Sequence, residues 1–277
     1  MRNVHDGRAG AARQESGGDS GVRGKRVLVT GGTRGLGEQI VRLLVAEGAW
    51  VATCARTERD LETMAVSLAG EGGRALFTRA LDVTEPARLE QFAMAAAQRF
   101  GGLDGVVACA GGSRGGGFEQ TDAADWAATW ELNVGHAVRL VRAAIPHLRD
   151  AGGGSVVLIS SISGWKPGPP IQYGAAKSAQ IHLAASLARE LGPDGIRVNA
   201  VSPGSMLIPG RRWDRMRRED PERFAGFAAA ELPGGELVAP QEVARVVAFL
   251  LSDWSSGVSG AHLPVDRAQN APSPDGY

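Results

Sequence analysis

Hydrophobic and polar positions follow two alternating patterns along this chain from residue 26 onwards. Short runs rich in Val, Leu, Ile and Ala predict strands at 26–30, 50–54, 75–81, 105–109, 155–160, 196–201 and 261–265. Longer stretches with apolar residues at helical spacing predict helices at about 36–44 and at 57–69, 85–100, 122–150, 172–191 and 239–252. Strand and helix therefore alternate about seven times.

This alternation predicts the fold class. Strands joined by helices run parallel, with right-handed crossovers, and strands that are apolar on both faces fit a sheet covered on both sides. We therefore predict an α/β protein with a single Rossmann-type, doubly wound parallel sheet of about seven strands and helices on both faces, over residues 25–267. Ligands of such sheets bind beyond the carboxyl ends of the strands. The stretch 204–238 is too long for an ordinary connection and is predicted to be a substrate lid.

The two ends of the chain differ from this domain. Residues 1–24 contain six glycines, charges of both signs and almost no large apolar residues, which predicts a disordered N-terminal arm. They lack the apolar segment of a signal peptide. Residues 268–277 are predicted to be a C-terminal tail.

The amino-acid composition indicates which kinds of partner to expect. The 277 residues carry 30 basic and 30 acidic side chains, so the totals favour neither nucleic acid nor an acidic membrane as a partner, although a local basic patch stays open. No apolar run approaches the roughly 18 residues of a membrane span. Two cysteines indicate a reducing compartment, and we expect a cytoplasmic protein. Five histidines at no ligand-like spacing predict no metal site.

Glycine is in excess, with 39 residues, and a cluster of glycines separates the first strand from the first helix. Residues 30–37 read Thr-Gly-Gly-Thr-Arg-Gly-Leu-Gly, and such a turn lets the backbone approach a phosphate at a helix N-terminus. An ordinary turn is the alternative. The second strand ends in Ala55-Arg56, without the carboxylate that binds a ribose 2′-hydroxyl. Arg56 and Arg34 are therefore predicted to bind a 2′-phosphate, the alternative being two solvated surface arginines.

Tyr173 and Lys177 are rare residue types placed four positions apart. Tyr277 is the only other tyrosine, and Lys177 is one of three lysines. On a helix this spacing puts both side chains on one face, where an ammonium would lower the pKa of the phenol and suit it to acid–base chemistry. Chance spacing is the alternative. Upstream, the Ser-Ser pair at 160–161 closes a strand and offers a hydroxyl to a substrate oxygen.

Together these residues resemble the classical short-chain dehydrogenase/reductase family over about 25–267. The motifs occur in family order: the 30–37 turn, Asp82 after the third strand, Ala-Cys-Ala-Gly at 108–111, Asn133, the serine, Tyr173 with Lys177, and Pro203-Gly204. Any one motif is weak evidence, whereas the ordered set is specific.

The resemblance implies a catalytic set of Asn133, Ser161, Tyr173 and Lys177. Tyr173 would be the general acid/base, and Lys177 would lower its pKa and bind the nicotinamide ribose. The serine would orient the carbonyl, and Asn133 would support a water-linked proton relay. The implied NADP(H) site comprises Gly31, Thr33, Arg34, Gly35, Leu36, Gly37, Arg56, Asp82, Val83, Ala110, Gly111, Tyr173, Lys177, Pro203, Gly204 and Ser205, with Asp82 at the adenine.

The chain departs from the family pattern at four places. The usual Asn-Asn-Ala-Gly is Ala-Cys-Ala-Gly, which predicts a less tightly pinned strand. Ser160 has the usual distance to the tyrosine and Ser161 the usual distance to a following glycine; we prefer Ser161. The threonine that holds the carboxamide in the family is Ile208 here, leaving Ser205 or backbone for that contact. The usual Val-Asp-Gly-Gly is Val-Asp-Arg-Ala at 265–268.

Three further side-chain groups were open to interpretation. Five arginines between 211 and 218 face either solvent or an anionic substrate, and the solvated helix face is preferred. Trp165 is expected to border the substrate pocket. Cys109 is expected to be structural and not a reactive thiol.

The function implied by the resemblance is NADPH-dependent reduction of a ketone or β-keto carbonyl, or the reverse oxidation, in a homodimer or homotetramer. One alternative is an NADP(H)-binding sensor or scaffold without reductase activity, suggested by the altered Ala-Cys-Ala-Gly and the missing threonine. Another is an epimerase or dehydratase of the same family.

Overall fold

The computed structural model describes residues 20–71, 76–168 and 170–270. Seven strands form one sheet in the order β3-β2-β1-β4-β5-β6-β7, and every neighbouring pair is parallel. The strands are β1 (Arg26–Thr30), β2 (Trp50–Ala55), β3 (Leu76–Ala80), β4 (Gly105–Ala108), β5 (Gly154–Ile159), β6 (Ile196–Pro203) and β7 (His262–Val265). The predicted α/β class with one doubly wound, Rossmann-like parallel sheet is confirmed.

The predicted helices are present, with ends that differ from the predicted ends by about two residues at most, and the predicted lid 204–238 contains two further helices. The helices are α1 (Gly35–Ala46), α2 (Glu58–Leu68), α3 (Pro86–Phe100), α4 (Ala123–Trp130), α5 (His136–Asp150), α6 (Ile171–Leu191), α7 (Arg212–Glu219), α8 (Pro221–Glu231) and α9 (Pro240–Leu251). The sequence predicted one helical stretch over 122–150. The structure instead has a π-helical turn, Glu131–Gly135, between α4 and α5.

Alternation of side chains along the strands builds a core on each face of the sheet. In β1, Leu28 packs into the core that also contains Phe92 of α3, whereas Val27 and Val29 pack into the core that contains Ile40 of α1. All three β1 residues are fully buried. Burial on both faces explains why the strands are continuous apolar runs, and it leaves the carboxyl edge of the sheet as the place for polar chemistry.

The ends of the chain are more ordered than the sequence predicted where the structure describes them. The prediction of a disordered arm over 1–24 is wrong for its last residues, because Val22 is fully buried in the α1 core and its carbonyl accepts from the backbone N–H of Lys25. Gln269, in the predicted tail, is also buried. The rest of both segments, 1–19 and 271–277, lies outside the described residues.

Two backbone features near the carboxyl edge bear on the site. The stretch 204–238 contains α7 and α8 and is joined to itself by a parallel bridge between Met206 and Val238. Beyond β7, Arg267 and Ala268 have φ of 51° and 64° and are the only non-glycine residues with positive φ in the described part of the chain. These are the two positions at which the family pattern has glycines, whose missing Cβ makes that conformation inexpensive.

Candidate active site

A cleft of about 910 Å³ lies along the carboxyl edge of the sheet. Its lining contains the turn after β1, the ends of β2, β4 and β5, the first turn of α6 and the loop after β6. All predicted cofactor-binding residues line it: Gly31, Thr33, Arg34, Gly35, Leu36, Gly37, Arg56, Asp82, Val83, Ala110, Gly111, Tyr173, Lys177, Pro203, Gly204 and Ser205. The fold thus brings together segments that are far apart in sequence.

The glycine turn has the form needed by a dinucleotide phosphate. Gly31 has φ +74°, and a Cβ on Gly37 would lie 2.2 Å from the carbonyl oxygen of Gly31. The turn is therefore folded tightly against the start of α1, whose N-terminal N–H groups attract an anion. This turn fits the pyrophosphate of a nicotinamide dinucleotide.

Unpaired arginines surround the end of the cleft beside β2. Arg34, Arg56 and Arg114 line the cleft, and none of them forms an ion pair within residues 20–71, 76–168 and 170–270. Burial alone would raise the pKa of Asp82, but hydrogen bonds from Thr84 and the charges of Arg56 and Arg114 outweigh it and lower that pKa. Asp60 is a second carboxylate on the lining. The excess positive charge fits a ligand with several phosphates.

The end of β4 is held without the two family asparagines. The hydroxyl oxygen of Thr30 accepts from the N–H groups of Cys109 (3.1 Å) and Ala110 (3.2 Å). The Nε2 of His136 lies 3.4 Å from the same oxygen, while Nδ1 contacts the Leu132 carbonyl. Burial lowers the pKa of His136 to about 4, so the ring is neutral at pH 7. The expected loosening of this strand end is therefore wrong.

Asn133 lies in the π-helical turn, and its side chain is used structurally. Its Nδ2 donates to the carbonyls of Gly112 (2.6 Å) and Thr129 (2.7 Å), and its Oδ1 accepts from the Gly112 N–H (3.3 Å). The side chain thereby joins the loop after β4 to the helix break. A relay through Asn133 would have to use its backbone carbonyl.

The two candidate serines point in different directions. Ser160 is buried, and its hydroxyl already donates to the backbone carbonyl of Lys177 at 2.8 Å. The Ser161 hydroxyl accepts from the Ser163 N–H at 3.1 Å and lines the cleft with Tyr173, whose pKa it lowers. The geometry therefore favours Ser161 as the serine that faces a substrate oxygen.

Lys177 lies beneath the ring of Tyr173, with its Nζ 5.4 Å from the ring centroid. The Nζ donates to the Ile159 carbonyl at 2.8 Å and to Gln180 Oε1 at 2.7 Å. Burial lowers the pKa of Lys177 to about 7. The pKa of Tyr173 is raised to about 12 because burial outweighs the hydrogen bond from Ser161. This is the reverse of the lowering expected from the ammonium, because burial has the larger effect on the pKa of Tyr173.

The C-terminal segment fixes the loop after β6 through hydrogen bonds. Gln269 accepts from the Ser205 N–H at 2.7 Å through Oε1 and donates to the Ser205 hydroxyl at 2.9 Å through Nε2. Ile208, at the family's threonine position, lies against the glycine turn, 3.3 Å from where a Cβ on Gly35 would be. Ser205 is thus a fixed polar group on this side of the cleft.

Four of the five lid arginines fall into two groups. Arg217 and Arg218 pair with Asp214, whereas Arg211 and Arg212 line the cleft. The expectation that Trp165 borders the pocket is wrong: it is 48% exposed, packs edge-on against His262 with ring centroids 5.0 Å apart, and is absent from the cleft lining. Burial raises the pKa of the Cys109 thiol to about 12, which fits the expected structural role.

Comparison with known proteins identifies the family. Residues 31–267 match a family model described as enoyl-(acyl carrier protein) reductase. The isoepoxydon dehydrogenase of Penicillium expansum is 36% identical over 252 residues, covering 89% of this chain and 95% of that protein. This chain belongs to the short-chain dehydrogenase/reductase family.

Other members of the family agree with this assignment. A 3-alpha-(or 20-beta)-hydroxysteroid dehydrogenase of Mycobacterium bovis is 36% identical, with 88% of each chain covered. The crystal structure of L-sorbose reductase from Gluconobacter frateurii, complexed with NADPH and L-sorbose, superposes with a TM-score of 0.84 at 29% identity, covering 92% of this chain and all of that one. The relatives are dehydrogenases and reductases, so this short-chain dehydrogenase/reductase is an oxidoreductase of a family that uses NAD(P)(H).

Sequence reasoning missed three residues of this site. Gln180, His136 and Gln269 are all buried and bond to site residues. Fully buried polar side chains are rare, so burial is the property that distinguishes these three residues. Burial cannot be read from a single sequence. Within residues 20–71, 76–168 and 170–270, no side-chain cluster fits a metal ion, and no helix is long and apolar enough to cross a membrane.

Proposed function

We propose that this protein reduces a ketone or β-keto carbonyl with NADPH, or oxidises the corresponding alcohol, with Tyr173 as general acid/base. The observation that carries the proposal is that Ser161, Tyr173 and the Lys177 beneath its ring line the same cleft as the glycine turn. Members of a homodimer or homotetramer would each hold one such site.

The cofactor would be held by residues along the cleft. The turn at 31–37 would hold the pyrophosphate, Arg34 and Arg56 the 2′-phosphate, and Asp82 with Val83 the adenine side. Ala110, Gly111, Pro203, Gly204 and Ser205 would line the nicotinamide end. When bound, the nicotinamide supplies the hydride for the carbonyl carbon.

The chain's own residues would supply orientation and the proton. The Ser161 hydroxyl would donate to the substrate oxygen and align it with Tyr173. The Tyr173 hydroxyl would then give its proton to that oxygen as the C–O double bond is reduced, and its oxygen would become a phenolate. A charged Lys177 stabilises this phenolate, which is why a lysine beneath the ring suits the reduction. In the direction of oxidation the same phenolate would accept the proton.

Tyr173→Phe removes the proton donor and keeps the ring. We expect NADPH consumption with a panel of ketones and β-keto compounds to fall by about 100-fold or more, the usual size of a lost general acid. Tyr277→Phe, at the only other tyrosine, is the matched control. Turnover by Tyr173→Phe close to wild type would refute the mechanism. Tight NADPH binding by the wild type without turnover on a broad panel would instead support a sensor.

A further inference from the structure

A buried amide connects the two residues on which the proton chemistry depends. Gln180 lies on α6, three residues after Lys177, and is fully buried. Its Oε1 accepts from Lys177 Nζ at 2.7 Å, and its Nε2 donates to the backbone carbonyl of Asn133 at 3.0 Å. Both ends of the amide are therefore used, and the amide orientation is fixed by one charged donor and one acceptor.

The position of this amide matters because of what else touches Lys177. Two of the three ammonium protons are directed to Ile159 O and Gln180 Oε1. The third has no partner among the described residues and is left for a ligand in the cleft. The backbone carbonyl of Asn133, the residue to which the resemblance assigns a water-linked relay, accepts from Gln180.

We propose that Gln180 is the positioning residue for Lys177, holding its ammonium beneath Tyr173 and joining it to the backbone carbonyl of Asn133. An amide oxygen accepts a hydrogen bond from an ammonium and takes no proton from it, so the bridge stabilises the charged lysine. This role rests on the proposed function only in so far as the charged lysine serves Tyr173.

The other titratable groups around Lys177 do not obscure its titration. Tyr173 on α6 and Cys109 after β4 both have a pKa raised to about 12 by burial, and His136 on α5 has a pKa lowered to about 4. All three are neutral between pH 5 and pH 10. Within that range Lys177 is the group of this cluster that changes charge, because its own pKa lies near 7.

The small number of lysines makes this titration directly measurable. Lysine labelled with ¹³C at Cε gives one signal for each of Lys25, Lys166 and Lys177, and Lys177→Arg assigns the third. The chemical shift followed against pH reports the pKa of Lys177 in the full-length protein, without substrate or cofactor.

Two substitutions at Gln180 should move this pKa in opposite directions. Gln180→Glu puts a carboxylate next to Nζ and should raise the pKa of Lys177 by about 1 to 3. Gln180→Leu removes the acceptor and should lower it by about 1. Gln172, a second buried glutamine on α6, bonds to the Arg114 carbonyl and not to Lys177. Gln172→Glu and Gln172→Leu are the matched controls, in which the Lys177 titration should not move.

The outcomes separate a positioning role from a structural one. A rise with Gln180→Glu and a fall with Gln180→Leu, absent from the Gln172 variants, establishes the bridge. If the leucine variant does not fold, the near-isosteric glutamate variant decides alone. An unchanged pKa in Gln180→Glu, or equal changes in the controls, overturns the proposal. Absence of carbonyl reduction by the wild type would refute the proposed function and leave this titration valid; where turnover is present, the basic limb of kcat/KM should move with the pKa.

Discussion

Ala268→Gly should stabilise the protein, although the same substitution usually destabilises one. Ala268 is exposed and has φ of 64°, in the left-handed region where a Cβ costs about 1–2 kcal/mol. Because the side chain is exposed, its removal loses little packing. Glycine also adds freedom to the unfolded chain, which costs about 0.4–1 kcal/mol. The difference is a net gain of about 0.8 kcal/mol, or about 2–3 °C in Tm for a domain of this size.

The assay is thermal unfolding followed by far-UV circular dichroism at fixed protein concentration without ligand. Ala225→Gly is the matched control, because Ala225 is exposed in the middle of α8 and should lose about 1 kcal/mol as an ordinary helical position. Ala268→Val should lower Tm, since a branched side chain is still less suited to positive φ. A decrease in Tm for Ala268→Gly similar to that of Ala225→Gly would refute the reasoning.

Three further predictions concern the strand ends and the cofactor. Thr30→Val leaves two backbone N–H groups after β4 without their acceptor and should lower the free energy of unfolding in urea by at least about 2 kcal/mol. Thr30→Ser keeps the acceptor oxygen and should retain most of that stability; equal losses of stability in the two variants would contradict this role of Thr30. The pKa of His136 is about 4 in the folded protein and about 6.5 in the unfolded chain. Its contribution to the free energy of unfolding is therefore complete above pH 6.5 and is lost as the pH falls toward 4. Lowering pH from 7 to 5 should therefore cost about 2 kcal/mol through this residue, and His136→Gln should remove that part of the pH dependence. Arg56→Ala and Arg34→Ala should each weaken NADPH binding by about tenfold and leave NADH binding unchanged, as measured by fluorescence titration; equal losses for both cofactors would exclude a 2′-phosphate contact.

The sequence predicted what periodicity and local motifs encode. Buried strands and amphipathic helices have patterns visible within ten residues, so the order of elements and the edge that holds the cleft followed directly. The turn at 30–37 was recognisable because its glycines lie between a strand and a helix. Arg267 and Ala268 were recognisable as a departure from the family's two glycines. The structure shows that both residues have positive φ, a strained conformation for residues with a Cβ.

What could not be predicted depends on contacts between distant residues. Gln180 meets Asn133 across 47 positions, and Ser205 meets Gln269 across 64. Val22 is an apolar residue in a polar stretch, and nothing in that stretch reveals that it packs beneath α1. Trp165 lies between two site residues in sequence, yet its ring turns to β7. The direction of the Tyr173 pKa likewise depends on burial, which opposes the effect of the lysine.

Lys166 connects three parts of the molecule through one ammonium. It lies in the loop that follows Ser161, pairs with Glu231 at the end of α8, and donates to the carbonyl of Gln269 at 3.1 Å. Gln269 in turn fixes Ser205. Displacing α8 therefore removes an ion-pair partner from the same ammonium that contacts Gln269. The position of α8 and the position of Ser205 are thus linked through one lysine side chain and one buried glutamine.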